Sequence, residues 1–252
     1  MLQRRTIAII LLIAFSLMPA CASKTPKLRK QSEALRNLGE IYLNQNNFTA
    51  ALKQFLEAEK IFADDYLLQD DLGRAYTARG RYQKALTHFK KSIQLQPDYA
   101  AAKNNLGSIY LMMKKWDKAI AVLDELSDDL LYGSPHYPLY NLGWAYYNKK
   151  MHKKARSYYK RSLELAPNFV LPMRGMGLSF MAQGRLSDAI IWFEKGAEKA
   201  PKFQEIHYEL AGAYLKAHRY DDAKKSLQSA IVIAPDSATA QRAKRELEAL
   251  SI

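Results

Sequence analysis

One cysteine, Cys21, is the whole thiol content of this 252-residue chain. That excludes an internal disulfide framework and a zinc site built from several thiolates. The 11 glycines are not gathered into a phosphate-cradling loop, and no serine elbow is present. Beyond residue 17 no apolar run matches that of Ile7–Leu17. Acids are also in deficit, 25 against 38 lysines and arginines, for a formal charge of +13. Such a charge raises nucleic acid, an anionic membrane or an acidic partner as candidates. Aromatic rings are plentiful instead, with 16 Tyr, 9 Phe and 3 Trp, which opposes disorder. With 48% hydrophobic residues the chain can build a core in one or two domains.

The start of the chain reads as an address. Arg4 and Arg5 precede the apolar run, and small residues follow at Ala20 and Ala22. A charged end, a short apolar middle and a small-residue exit are the anatomy of a secretory signal, and the apolar run is shorter than the roughly 20 residues a spanning helix needs. Residues 1–20 are therefore expected to be a signal peptide of a bacterial envelope protein, whose removal leaves a charge of +11. The stretch Leu17-Met18-Pro19-Ala20-Cys21 resembles a lipobox, with Met18 in the place usually held by Leu. The resemblance implies acylation of Cys21, and several acyl chains hold a protein stably on a membrane. Cleavage after Ala22, or an uncleaved signal, are the other readings. Ala22 follows the cysteine where an Asp would favour inner-membrane retention, so lipoprotein sorting implies the outer membrane of a Gram-negative cell, facing the periplasm. Residues 21–31, with Lys24, Lys27, Arg29 and Lys30, are expected to be a solvated basic tether, with contact to anionic head groups as the sharper alternative.

The rest is one repeat. Leu38-Gly39, Leu72-Gly73, Leu106-Gly107, Leu142-Gly143, Met176-Gly177 and Leu210-Ala211 recur at steps of 34, 34, 36, 34 and 34 residues. Three residues on stand Tyr42, Tyr76, Tyr110, Tyr146, Phe180 and Tyr214, and nine further an Ala in every copy. Four beyond come Phe55, Phe89, Leu123, Tyr159, Phe193 and Leu227, and Pro97, Pro167, Pro201 and Pro235 close four copies. This pattern resembles the tetratricopeptide repeat. It implies an all-α fold, a right-handed α-α superhelix (solenoid) of six repeats, with residues 238–252 as a C-terminal capping helix. The repeats are placed at 32–65, 66–99, 100–133, 136–169, 170–203 and 204–237. Small residues at positions eight and twenty let paired helices approach, and proline stops the second helix. The longer third step falls in Ser127–His136, around Gly133 and Pro135, either as a tolerated insertion or as a contact loop. Leu126 stands there in place of a small residue.

No enzyme constellation emerges, so no catalytic residue, metal or cofactor is expected, nor a small-molecule substrate. The five histidines fall at unrelated repeat positions, and the doublets Asp64-Asp65, Asp70-Asp71, Asp128-Asp129 and Asp221-Asp222 read as helix-end acids. The fourth repeat carries seven lysines and arginines against Glu164. It reads as a solvated face or a site for an acidic partner or lipid head groups; an exported chain meets little nucleic acid. In the tetratricopeptide family, positions 2, 5, 9, 12 and 13 of the first helix line the ligand groove. Here the first repeat places Glu33, Arg36, Glu40, Leu43 and Asn44 at them, whereas the fourth places Tyr137, Tyr140, Trp144, Tyr147 and Asn148. Leu171, Leu178 and Met181 extend the apolar set in the fifth, Leu111 and Met112 in the third, Tyr208 and Leu215 in the sixth. This predicts a protein-binding surface made by Tyr137, Tyr140, Trp144, Tyr147, Leu171, Leu178 and Met181, unless the rings pack against neighbouring helices.

Six repeats behind a lipobox resemble the type IV pilus pilotin family. Asn104-Asn105-Leu106-Gly107, Asp129-Leu130-Leu131-Tyr132, Tyr140-Asn141-Leu142-Gly143, Lys153-Lys154-Ala155 and Arg161-Ser162-Leu163 read like the middle of that family. The resemblance implies an outer-membrane lipoprotein that binds the pilus secretin and helps it localise and assemble. Another periplasmic repeat lipoprotein, serving outer-membrane protein assembly or cell-wall hydrolases, or a passive spacer, are the competing readings.

Overall fold

The computed structural model describes residues 24–127 and 133–250. The signal peptide, Cys21 and residues 128–132 of the stretched junction lie outside the described residues. Those described form thirteen α-helices and no strand. Two compact units divide the chain, one ending at Ile109 and one beginning at Tyr110. The first holds α1 (Lys24–Asn44), α2 (Phe48–Ile61), α3 (Tyr66–Ala78), α4 (Tyr82–Leu95) and the start of α5 (Ala100–Met112). The second holds α6 (Trp116–Asp124), α7 (His136–Asn148), α8 (His152–Leu165), α9 (Val170–Met181), α10 (Leu186–Lys199), α11 (Gln204–Lys216), α12 (Tyr220–Ile233) and α13 (Ala238–Ala249). Each repeat is a helical hairpin, and the fold is the all-α superhelical repeat architecture expected from the period.

The repeated residues account for the packing. Phe55, Phe89, Tyr159 and Phe193 are fully buried, and each ring fills the space over the glycine of its own first helix. A Cβ at Gly39, Gly73, Gly143 or Gly177 would run into that ring. Burying one such ring contributes about 2–3 kcal/mol before entropy is counted. A second tie joins the two ends of the hairpin. The Ser92 and Ser162 hydroxyls donate to the carbonyls of Tyr66 and His136 at 2.7 and 2.8 Å. In the first and last repeats the direction reverses, with Ser32 donating to Ala58 at 3.0 Å and the Gln204 amide to Ala230 at 2.6 Å. Leu126 stands at this register in the third repeat and is buried without making the tie; its helix, α6, is only nine residues long.

All six hairpin turns share one conformation. Asn46, Gly80, Lys114, Lys150, Gly184 and His218 have φ between 57° and 71°. In each turn the next residue's N–H returns to the carbonyl of the repeat's aromatic, as in Asn47 to Tyr42 (2.9 Å) and Met151 to Tyr146 (2.9 Å). This is a left-handed helix cap, which glycine adopts freely and other residues adopt at a cost. Side chains cap as well: Asn47, Asp65 and Ser237 accept from first-turn amides of α2, α3 and α13.

The basic stretch Lys27–Lys30 is exposed and lies in the first turns of α1, with Pro26 where its missing N–H costs nothing. One expectation changes. Asp70 and Asp71 are not at a helix end; they lie in the second turn of α3 and are buried. Asp65 and the Asp221-Asp222 doublet do sit at helix starts. The capping helix packs Ala243, Leu247 and Leu250 against Ala211, Leu227 and Ala230.

Candidate protein-binding face

In the second unit α7 and α9 lie side by side and carry the predicted apolar residues. Tyr137 is exposed and leans on His136 and Phe169, with ring centroids 4.2 and 5.4 Å away. Tyr140 is half-buried, edge-on to Phe169 at 5.5 Å and tilted over Tyr159 at 6.1 Å. Trp144 and Tyr147 stack at 5.3 Å, and both are half-buried. Leu171, Leu178 and Met181 on α9 are likewise half-buried. The stripe is thus partly spent on its own packing, and what it offers is the rim of a wall of rings. Of the outlying residues, Leu111 is buried, Met112 exposed, Leu215 half-buried, and Tyr208 donates to Glu246 of the capping helix at 2.6 Å.

A polar pair that the apolar pattern concealed crosses this face. Arg174 on α9 donates from Nε to both carboxylate oxygens of Glu209 on α11, at 3.0 and 2.8 Å. Burial opposes the charge on Arg174, but the bonds and charge of Glu209 lift its pKa above the ordinary value. Burial also pushes the phenols of Tyr140 and Tyr147 upward. Beneath them the Tyr159 hydroxyl is buried with no hydrogen-bond partner among the described residues, and its ring lies between Gly143 and Gly175. A Tyr here, where the other repeats hold Phe or Leu, was visible in the alignment of copies; the Arg174–Glu209 contact, spanning 35 residues, was not.

The first unit presents polar groups at matching positions. Asp71 pairs with Arg74 at 2.9 Å, and Arg36 lies 3.7 Å from Asp65. Asn105 donates to Asp70 at 2.9 Å. Burial, and then the charge of Glu40, push the Asp71 carboxyl up to about 7. A cavity of about 220 Å³ is lined by Arg74, Thr77, Phe89, Asn105 and Ser108. Gln69 is fully buried; it donates to Glu59 at 2.9 Å and accepts from His88 at 2.8 Å. Among the described residues no group of three or more His, Cys, Asp or Glu side chains is placed to hold a metal ion, and no helix is long and apolar enough to cross a membrane.

Tetratricopeptide-repeat family models match residues 27–66, 98–168 and 180–247, and a TPR-repeat model matches 73–114. The protein STIP1 homolog of Dictyostelium discoideum is 29% identical over 99 residues, which is 36% of this chain and 18% of that protein. Among solved structures, PilW, a widely conserved type IV pilus biogenesis factor, superposes with a TM-score of 0.77 at 20% identity, over 84% of this chain and 97% of its own. PilF of Pseudomonas aeruginosa does so with a TM-score of 0.72 at 20% identity, over 86% and 99%. At these identities the likeness is one of fold.

Proposed function

We propose that this chain, which belongs to the tetratricopeptide-repeat family, is an outer-membrane lipoprotein anchored through Cys21 that captures the type IV pilus secretin and assists its localisation and assembly. It acts by binding, as the family's repeats commonly do, and not by catalysis. The observation that carries the reading is the end-to-end likeness to PilW, which takes in 97% of that protein. The lipobox and the pilotin-like middle repeats of the sequence agree with it. The client is held on the rings of α7 and the apolar residues of α9, where Trp144 and Tyr147 offer a stacked pair. Aromatic anchors of this kind commonly dominate binding energy.

Crosslinked capture from detergent-solubilised envelopes, read by mass spectrometry, tests the reading, with Cys21→Ser run alongside. Secretin is expected with the native protein and depleted with Cys21→Ser. Secretin missing from a piliated cell, with an insertion machine or cell-wall enzyme in its place, refutes it. Trp144→Ala with Tyr140→Ala is expected to weaken capture about thirtyfold while circular dichroism retains the helices. Unchanged capture removes the client from this face.

A further inference from the structure

The turn after α7 and the first turn of α8 crowd Lys149, Lys150, Lys153 and Lys154 into six residues. Lys149 is answered by Asp117. Further along, Arg156 donates to Gln183 at 2.6 Å, Lys160 reaches Glu164 at 3.8 Å, and Arg161 donates to the Ser127 carbonyl at 3.0 Å. Lys150, Lys153 and Lys154 are exposed and meet no carboxylate among the described residues; Lys154 lies over the Tyr146 ring at 4.2 Å. These three line an open cleft of about 560 Å³ together with Met151, His152, Ser157 and Gln183.

Positive groups predominate around the cleft, with Asp188 answering Arg185 at 2.7 Å. His152 is held below its ordinary value by burial and by the nearby Arg156 and Lys150, and its Nδ1 is buried without a hydrogen-bond partner among the described residues. Arg156 and Arg185 both lie against Phe180, at 4.4 and 4.6 Å. Met151 gives α8 no side-chain cap, so the first-turn amides add donors to the same place. Three ammonium groups so close repel one another, and a compact anion of more than one charge relieves that repulsion best. A lone carboxylate brings a single charge and a planar pair of oxygens. A phosphate brings tetrahedral oxygens that several donors reach together.

We propose that the Lys150–Lys153–Lys154 cleft of the second unit is a binding site for a phosphate group, borne by a lipid head group or by a soluble phosphate ester. The site is independent of the pilus client. The full chain carrying Cys21→Ser, so that no acyl chain contributes, is titrated with glycerol phosphate while the backbone amide resonances of His152, Lys153 and Lys154 are followed. The same protein is sedimented with phosphatidylcholine vesicles, with and without phosphatidylglycerol. Glycerol phosphate is expected to shift those amides, and Lys150→Gln with Lys153→Gln and Lys154→Gln to abolish the shift. If the source is a head group, the triple variant loses vesicle association about hundredfold, about fivefold for each lysine. Lys199→Gln with Lys202→Gln and Lys225→Gln removes equal charge from exposed positions of the same unit and is expected to lose about threefold or less. Amide shifts without preference for phosphatidylglycerol identify a soluble ester as the source. Unshifted amides, a phosphatidylglycerol-dependent association that falls equally in the two triple variants, or a poly-glutamate that binds the cleft more tightly than glycerol phosphate would overturn the proposal.

Discussion

At the fifth and ninth positions of the second repeat stand Asp70 and Arg74; at the same positions of the fourth stand Tyr140 and Trp144. Beneath both faces the scaffold is the same, a ring over a glycine, Phe89 on Gly73 in one and Tyr159 on Gly143 in the other. What differs is the chemistry the scaffold supports. In the first unit the neighbours of Asp70 and Asp71 are polar and largely satisfied, Asn105 bonding one and Arg74 the other. In the second the rings stack on one another and leave an apolar rim, crossed by one bidentate Arg174–Glu209 pair. Burial is spent on buried carboxylates in one face and on rings in the other, so pH should act on the first and apolar recognition should reside in the second.

The largest effect is expected where the shared scaffold is broken. Gly143→Leu drives a side chain into the fully buried Tyr159 and should cost about 3 kcal/mol in denaturant unfolding. Gly73→Leu should cost a similar amount by collision with Phe89. A large gap between them would mean that the two hairpins are not built alike. Next comes pH. The Asp71 carboxyl titrates near 7 in the folded protein and near 4 when unfolded. Its contribution to stability is therefore fully present below about pH 4 and is lost as pH rises through about 7. The first unit should lose about 2 kcal/mol between roughly pH 5 and pH 8, read by amide exchange of α3, and Asp71→Asn should flatten the profile. A slope of the opposite sign would show that Arg74 outweighs burial. The smallest effect is at the turns. Lys150 holds a left-handed conformation with φ of 61°, so Lys150→Gly should raise stability by about 0.5–1 kcal/mol in the same denaturation assay.

The hairpins were legible because their determinants are local and periodic. Glycine, alanine and the ring recur at fixed spacing, and each does the same steric work in every copy. The turn conformation was half legible, marked by Gly80 and Gly184 but hidden where Lys114, Lys150 and His218 adopt it. Asp70-Asp71 misled because a carboxylate pair is far more often exposed at a helix start than buried inside a repeat hairpin. Arg36, Glu40 and Asn105, whose charges and bond act on them, are each some 30 residues away in sequence. For the same reason Arg174 escaped notice: only its partner Glu209, on the next first helix, gives it a role. The aromatic stripe was read from the sequence, but not how much of it Phe169 and Tyr159 would cover.

Photo-crosslinking in piliated cells tests the central claim most directly, with a photoreactive amino acid placed at Trp144 in one strain and at Arg74 in another. The account predicts a secretin adduct from position 144 and none from position 74. An adduct from 74 alone, or secretin crosslinked from neither while other envelope proteins are captured, would contradict it.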